Sequence, residues 1–185
     1  MKQTLITTVE NKPGVLNRVA SMFRRRNFNI DSLNVGRTER DDISRMTITV
    51  NSQKTDPRLV EANLYKLVNV IDVQDVTNQP AVLRELALIK VAAAPEQRGE
   101  IINLATVFHA ETVDVGPDSI ILQITEDTDR IDSLVELLRP SGIIEMVRTG
   151  HVAMMRGKAH GVRHTPGAKG HENGYNYDTE HITAD

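Results

Sequence analysis

One order of elements occurs twice in this chain, and a repeat of that kind restricts the fold more than any single motif does. Residues 3–10 (QTLITTVE) alternate as a half-buried strand does, and Val15, Leu16, Val19, Ala20, Met22 and Phe23 then follow a helical stripe. Residues 28–38 read as strand, but the alternation slips by one near Ser32, as a bulge or an edge strand would require. After the polar turn at residues 39–42, Met46, Ile48 and Val50 line one face of a third strand. Asp56-Pro57 opens a helix whose apolar face is Val60, Leu64, Leu67 and Val68, and residues 70–76 form a fourth strand. Residues 84–93 start the same order again. Ile101, Leu104, Ala105 and Phe108 fall on one helical face, and residues 112–115 and 119–125 form a hairpin around Gly116-Pro117-Asp118. Ile131, Leu134, Val135 and Leu138 mark a helix that stops before Pro140-Ser141-Gly142, and residues 143–152 make the last strand. Residues 19–23 (VASMF) even resemble residues 104–108 (LATVF) at matching positions.

Two runs of βαββαβ imply an α+β chain of two tandem ferredoxin-like domains, each with two helices on one face of an antiparallel sheet. The expected division is residues 1–79, residues 80–156, and a tail at 157–185. That tail is rich in Gly, His and polar residues, lacks periodicity, and is expected to be disordered. Its His160 and His164 are four apart, but with no helix signal or suitably spaced carboxylate no metal site is expected. The chain has no Cys, which excludes thiol catalysis and disulfides, and its net charge of −3 and 3% aromatic content argue against nucleic-acid binding. No apolar run approaches the roughly 20 residues of a membrane span, so no membrane partner and a cytoplasmic location are expected.

Where the first strand hands over to the first helix stands Asn11-Lys12-Pro13-Gly14-Val15-Leu16. Pro13 suits the first helical position, and Gly14 removes the side chain that would keep a ligand off the backbone. The amides of Gly14, Val15 and Leu16 are then expected to point outward, backed by the positive end of the helix dipole, as a carboxylate site requires. Asn11 adds a donor and acceptor beside it. Asn29 offers a second amide at the start of the next strand, and Leu16 and Ile30 an apolar wall. An ordinary helix start with Asn near the N-cap has the same spacing. The second copy has Ala94-Pro95-Glu96-Gln97-Arg98-Gly99-Glu100 at the equivalent place, where acidic side chains would repel a carboxylate. The two halves are therefore expected to differ in role. Arg24-Arg25-Arg26 closes the first helix with charge that suits its negative end. No phosphate loop, nucleophile elbow or H-E-x-x-H occurs, His109 reads as a helix-end residue, and no catalytic residue is expected.

The segments T-V-E-N-K-P-G-V-L-N-R-V at residues 8–19, R-R-N-F-N-I-D-S-L at 25–33 and V-G-R-T-E at 35–39 closely resemble the small regulatory subunits of acetolactate synthase (acetohydroxyacid synthase). The resemblance spans roughly residues 2–155 and makes the first domain an ACT domain. It implies a non-catalytic subunit that activates a separate large subunit and confers feedback inhibition by a branched-chain amino acid, usually valine. It also implies a homodimer through the ACT domain. The effector site would then be formed by Asn11, Gly14, Val15 and Leu16 of one chain with Asn29 and Ile30 of the other. The large subunit is expected to use thiamine diphosphate, Mg²⁺ and FAD, with no cofactor on this chain. A stand-alone amino-acid sensor acting on another partner would share the pocket. A small hydrolase on the same fold is the enzymatic alternative.

Overall fold

The computed structural model describes residues 2–51 and 57–157. The first half runs β1 (Lys2–Glu10), α1 (Val15–Arg25), β2 (Ile30–Arg37), β3 (Ile43–Asn51), α2 (Pro57–Leu64) and β4 (Val70–Asp75). Its sheet is antiparallel, in the order β2-β3-β1-β4. The alternation of β3 sends Met46, Ile48 and Val50 to the helix side. There they meet Leu5 and Val9 from β1 and Val19, Met22 and Phe23 from α1. Phe23, 1% exposed, packs edge to face on Phe28 with ring centroids 5.9 Å apart. The slip expected near Ser32 is present as a register shift between Ile30 and Ser32, and β2 is an edge strand.

The second half runs β5 (Ala81–Ala92), α3 (Arg98–Val107), β6 (Glu111–Val115), β7 (Ser119–Glu126), α4 (Thr128–Leu138), a 3-10 turn (Arg139–Ser141), β8 (Ile143–Arg148) and β9 (Val152–Met155). The order β6-β7-β5-β8 repeats that of the first sheet, and Ala87, Ile89, Val91, Ile120, Leu122 and Ile124 face α3 and α4. His109 lies just beyond α3 with φ of 55°. Asp127 caps α4 by accepting from the amide of Arg130 at 2.9 Å.

Four sequence expectations need correction. The face expected over Val60, Leu64, Leu67 and Val68 is cut short, because α2 ends at Leu64 and Val68, beyond it, is 84% exposed. The last strand is not continuous over residues 143–152: Gly150, at φ of 74°, separates β8 from β9. The β9 strand adds a member that a plain βαββαβ plan lacks, and it pairs with the first residues of β5, which begins at Ala81 rather than residue 84. Nor is β1 half-buried. Thr4 (6% exposed) and Ile6 (2%) on its outer face are buried, as is Leu5 on its inner face. Ile6 packs with Val76 and Ala153, and Ala81, Leu83 and Met155 close around them, so the β5–β9 ribbon lies across the outer face of the first sheet. The expected tail and its histidines lie, from residue 158 onward, outside the described residues, as does Asp56. No described helix is long and apolar enough to cross a membrane.

Candidate functional site

The turn between β1 and α1 is held by the backbone before any side chain contributes. The Asn11 amide donates to the Asp42 carbonyl at 2.7 Å, and Asn11 Nδ2 donates to the Asp41 carbonyl at 2.8 Å. Asn11 is therefore tied to the β2–β3 turn, not folded over the helix as an N-cap, and its Oδ1 accepts none of the described hydrogen bonds. Gly14 is the N-cap, in the left-handed region at φ of 84°, and no side chain caps the helix. Pro13 thus precedes the cap instead of occupying the first helical position. A Cβ at Gly14 would meet nothing within 4 Å, so the backbone is open to its surroundings there.

The expected amide set is also adjusted. The Val15 amide donates to the Lys12 carbonyl at 3.3 Å. Arg18 is the first residue whose amide bonds back to the cap, at 3.0 Å to the Gly14 carbonyl. The amides of Gly14, Leu16 and Asn17 have no acceptor among the described hydrogen bonds. Asn17 is the member that sequence spacing missed, and an N-cap at Gly14 is the signal that would have found it. Leu16 is 44% exposed, whereas Val15 is buried in the core, so Val15 contributes backbone and packing and Leu16 an accessible apolar side chain. Beside the turn, a hydrogen bond from Asn69 and the Lys12 ammonium hold the Glu10 carboxyl below its ordinary value. The combination is three unpaired amides at a helix dipole's positive end, a neutral amide oxygen and a small apolar surface. It can bind a carboxylate carrying a short side chain.

Asn29 and Ile30 do not join this group within one chain. Ile30 pairs with Val50, which pairs with Gln3 at the start of β1. Asn11 follows the last residue of β1, roughly 23 Å further along at about 3.3 Å per residue. Asn29 is exposed, its Nδ2 lies 3.4 Å from Asp31 Oδ1, and its carbonyl accepts from Asn51. Ile30 is half-buried at the margin of the core. The two groups sit at opposite ends of the same sheet.

The second half holds a different polar cluster, which sequence reasoning did not single out. Burial alone would raise the Glu85 carboxyl. Two bonds from Arg148 (Nε 2.9 Å, Nη2 2.7 Å), the Arg148 charge, Thr128 and His151 outweigh it and hold the group below the ordinary carboxylate range. Arg148 also reaches Asp132 at 2.6 Å. The His151 ring bonds Thr128 on one side and lies 3.4 Å from Thr49 of β3 on the other, joining the two halves. Every charge in this cluster is paired. The described residues contain no group of three or more His, Cys, Asp and Glu placed to hold a metal ion.

A βαββαβ unit whose first turn carries an open, glycine-capped helix start is the ACT type of regulatory domain, and here it is followed by a second unit of the same plan. Residues 5–72 match the family described as "AHAS small subunit-like ACT domain", and residues 84–157 match "Small subunit of acetolactate synthase". The chain is 52% identical over 157 residues to the probable acetolactate synthase small subunit of Archaeoglobus fulgidus, covering 85% of this chain and 98% of that one. It is 45% identical over 158 residues to the acetolactate synthase small subunit of Bacillus subtilis, with 85% and 92% covered. The crystal structure of the acetolactate synthase small subunit from Thermotoga maritima superposes with a TM-score of 0.78 at 36% identity, covering 85% of this chain and 99% of that one. The chain belongs to the family of acetolactate synthase small subunits, the regulatory, non-catalytic subunits of that enzyme complex.

Proposed function

We propose that this chain, as a homodimer paired through β2, binds a branched-chain amino acid, valine foremost. On this reading it activates the acetolactate synthase large subunit and lowers that activity when the effector binds. The ACT domain, residues 1–79, carries the effector site. Residues 80–156 form the second domain, and residues 157–185 the tail. The site is Asn11, Gly14, Val15 and Leu16 of one chain with Asn29 and Ile30 of the other. Thiamine diphosphate, Mg²⁺ and FAD belong to the large subunit, and the complex works in the cytoplasm.

The observation that supports this reading is the separation of the two residue groups. A two-fold edge-to-edge pairing runs β2 antiparallel to its copy, so the Ile30 end of one strand lies beside the Arg37 end of the other. Arg37 pairs with Ser44, and Ser44 with Val9, at the same end of the sheet as Asn11 and Gly14. Groups some 23 Å apart within a chain thereby become neighbours across the dimer.

The effector's carboxylate takes the amides of Gly14, Leu16 and Asn17, its ammonium takes Asn11 Oδ1, and its side chain lies between Leu16 and Ile30. Charged hydrogen bonds contribute about 1.5 to 3 kcal/mol each and burial of a Val-sized side chain about 1.5 to 3 kcal/mol. Association costs at least about 4 kcal/mol. The balance lies in the broad micromolar to millimolar range that suits a metabolite sensor. Coupling of about 1 to 3 kcal/mol to the large subunit is enough for regulation.

Calorimetric titration with valine, leucine and isoleucine, on the native chain and on Gly14→Asp, tests the site. The variant puts a fixed carboxylate where the ligand's sits. Saturable binding that Gly14→Asp abolishes, with activation of the large subunit largely kept, is expected. Loss of activation in a still-folded dimer would show that sensing and activation are not separable in this way.

A further inference from the structure

The helices of the first half, with the residues just after them, carry a charge opposite to that of the chain. Residues 15–26 and 57–68 hold six cations against one carboxylate, Glu61, in a protein of net charge −3. The C-terminal end of α1 supplies Arg24, Arg25 and Arg26, all exposed, and Lys66 follows α2. Among the described ion pairs, none of these four has a carboxylate partner. Arg25 Nε donates to the Ser21 carbonyl at 3.3 Å and Lys66 Nζ to Asn63 Oδ1 at 3.3 Å. Helix dipoles do not absorb this charge. Each helix end presents about half a negative charge, whereas the four side chains bring four positive ones.

Three of these cations, Arg25, Arg26 and Lys66, line a groove of about 300 Å³ between α1 and α2, together with Met22, Asn63 and Leu67. Its floor is apolar, from Met22 and Leu67, and its rim is cationic. The groove lies at the opposite end of α1 from Gly14, about 15 Å away along a helix rising 1.5 Å per residue, so it is not the effector turn of the same chain. From Arg26 the chain turns through Asn27, at φ of 57°, and reaches Asn29 three residues later. The groove rim and the second half of the effector site are thus joined by one short turn.

We infer that this groove is where the large subunit docks, through an acidic segment that places an apolar side chain between Met22 and Leu67 and carboxylates against Arg25, Arg26 and Lys66. The inference rests on the large subunit being the partner. Charge complementarity selects the occupant: an apolar floor alone would accept any hydrophobic segment, but an unpaired cationic rim repels basic ones and steers acidic ones to the site. Because Asn27 links the rim to Asn29, an effector that orders Asn29 across the dimer acts on the docking surface through three residues of backbone.

The test uses the full chain and the purified acetolactate synthase large subunit of the same organism. Affinity is measured by calorimetry or interferometry at about 50 and 300 mM salt for the native chain, Arg25→Glu/Arg26→Glu, Arg25→Lys/Arg26→Lys and Lys66→Glu. The glutamate variants are expected to bind tenfold or more weakly and to lose most of the salt dependence. The lysine pair is expected to stay within about threefold of native, and valine binding is expected to be unchanged. Glutamate variants with native affinity and salt dependence would overturn the inference. So would competition by millimolar inorganic phosphate for the groove with large-subunit affinity untouched, since the site would then serve a small anion. Should the glutamate pair fail to fold by circular dichroism, Arg25→Gln/Arg26→Gln is read in the same way. Absence of any binding by the native chain would instead count against the large subunit as partner.

Discussion

At Gly14 two demands meet on one residue. The backbone stands at φ of 84°, which L side chains resist, and the space beyond its missing Cβ is open. Gly14→Ala therefore costs only the conformational term, about 1 kcal/mol. The expected fall in melting temperature is roughly 2–4 °C for a chain of this size, with a much larger proportional loss of valine affinity as the methyl group enters the carboxylate's place. An equal, small loss of both would mean that the ligand does not approach this backbone. The Asn-x-Pro-Gly spacing made the position legible in the sequence. The role of Pro13 was not, because proline is equally at home before a cap and just inside a helix. Glu85 shows the reverse situation, since nothing in its neighbourhood in the sequence announces Arg148, 63 residues away. Glu85→Gln is expected to cost about 2 kcal/mol near neutral pH, the usual worth of hydrogen bonds to a charged group. The folded pKa of Glu85 is depressed below its ordinary 4.5. Its stabilisation is therefore complete above the unfolded value and fades as pH falls through the folded one. Chemical denaturation of native chain and variant should differ by a constant amount above about pH 5 and converge in acid. A difference that persists unchanged to low pH would remove the charge from the explanation.

Among the elements, β2 carries the most consequence. Its alternation, with the slip at Ser32, was readable, but the slip alone did not decide between a bulge and an edge strand; the strand shows a register shift between Ile30 and Ser32 and also lies at the sheet edge. Its assembly was not readable, since sequence periodicity records which face is apolar and not which hydrogen bonds an edge makes with another chain. Val35, on the helix side of this edge, is 42% exposed in the single chain. Placing a lysine there is a device by which natural edge strands avoid pairing. Val35→Lys is expected to weaken the dimer at least tenfold, which analytical ultracentrifugation reads directly, and to weaken valine binding in parallel because Asn29 and Ile30 leave the site. A monomer that still binds valine at native affinity would show that the site is complete within one chain. The helix α1 has its own division along its length: an unpaired amide end at Gly14 and a cationic end at Arg24 to Arg26. Of the stripe read from the period, Val15, Val19, Met22 and Phe23 are buried and fix the helix to the sheet, whereas Leu16 and Ala20 are exposed.

At the scale of the whole molecule, the repeat predicted two sheets but not how they meet, and the segment from Gly150 to Met155 decides that. The sequence places the end of the last strand at Val152, yet the exposure of Val152 and Met154 and the burial of Ala153 show a separate strand turned onto the first sheet. There the Ala153 amide donates to Thr47 Oγ1 at 3.3 Å, the Ala153 carbonyl accepts from Arg45 Nη2 at 3.2 Å, and His151 reaches Thr49. Gly150 begins this segment against Ser32. A Cβ there would lie 2.6 Å from the Ser32 Cβ, an atom tied to backbone that no rotamer can move away. Gly14 supplies the comparison, since it too has a positive φ, 84°, but its added Cβ would meet nothing within 4 Å. Both glycine-to-alanine variants incur the positive-φ penalty of about 1 kcal/mol, and Gly150→Ala alone adds an overlap costing about 1 to 3 kcal/mol more. Gly150→Ala should therefore melt several degrees below Gly14→Ala. Its amides in β9 should exchange faster with solvent while those of β7, deep in the second sheet, stay protected. Equal melting temperatures with unchanged exchange in β9 would mean that the two sheets do not meet at Ser32 in solution. A uniform rise in exchange across both sheets would mean that the contact stabilises each half and not merely their union.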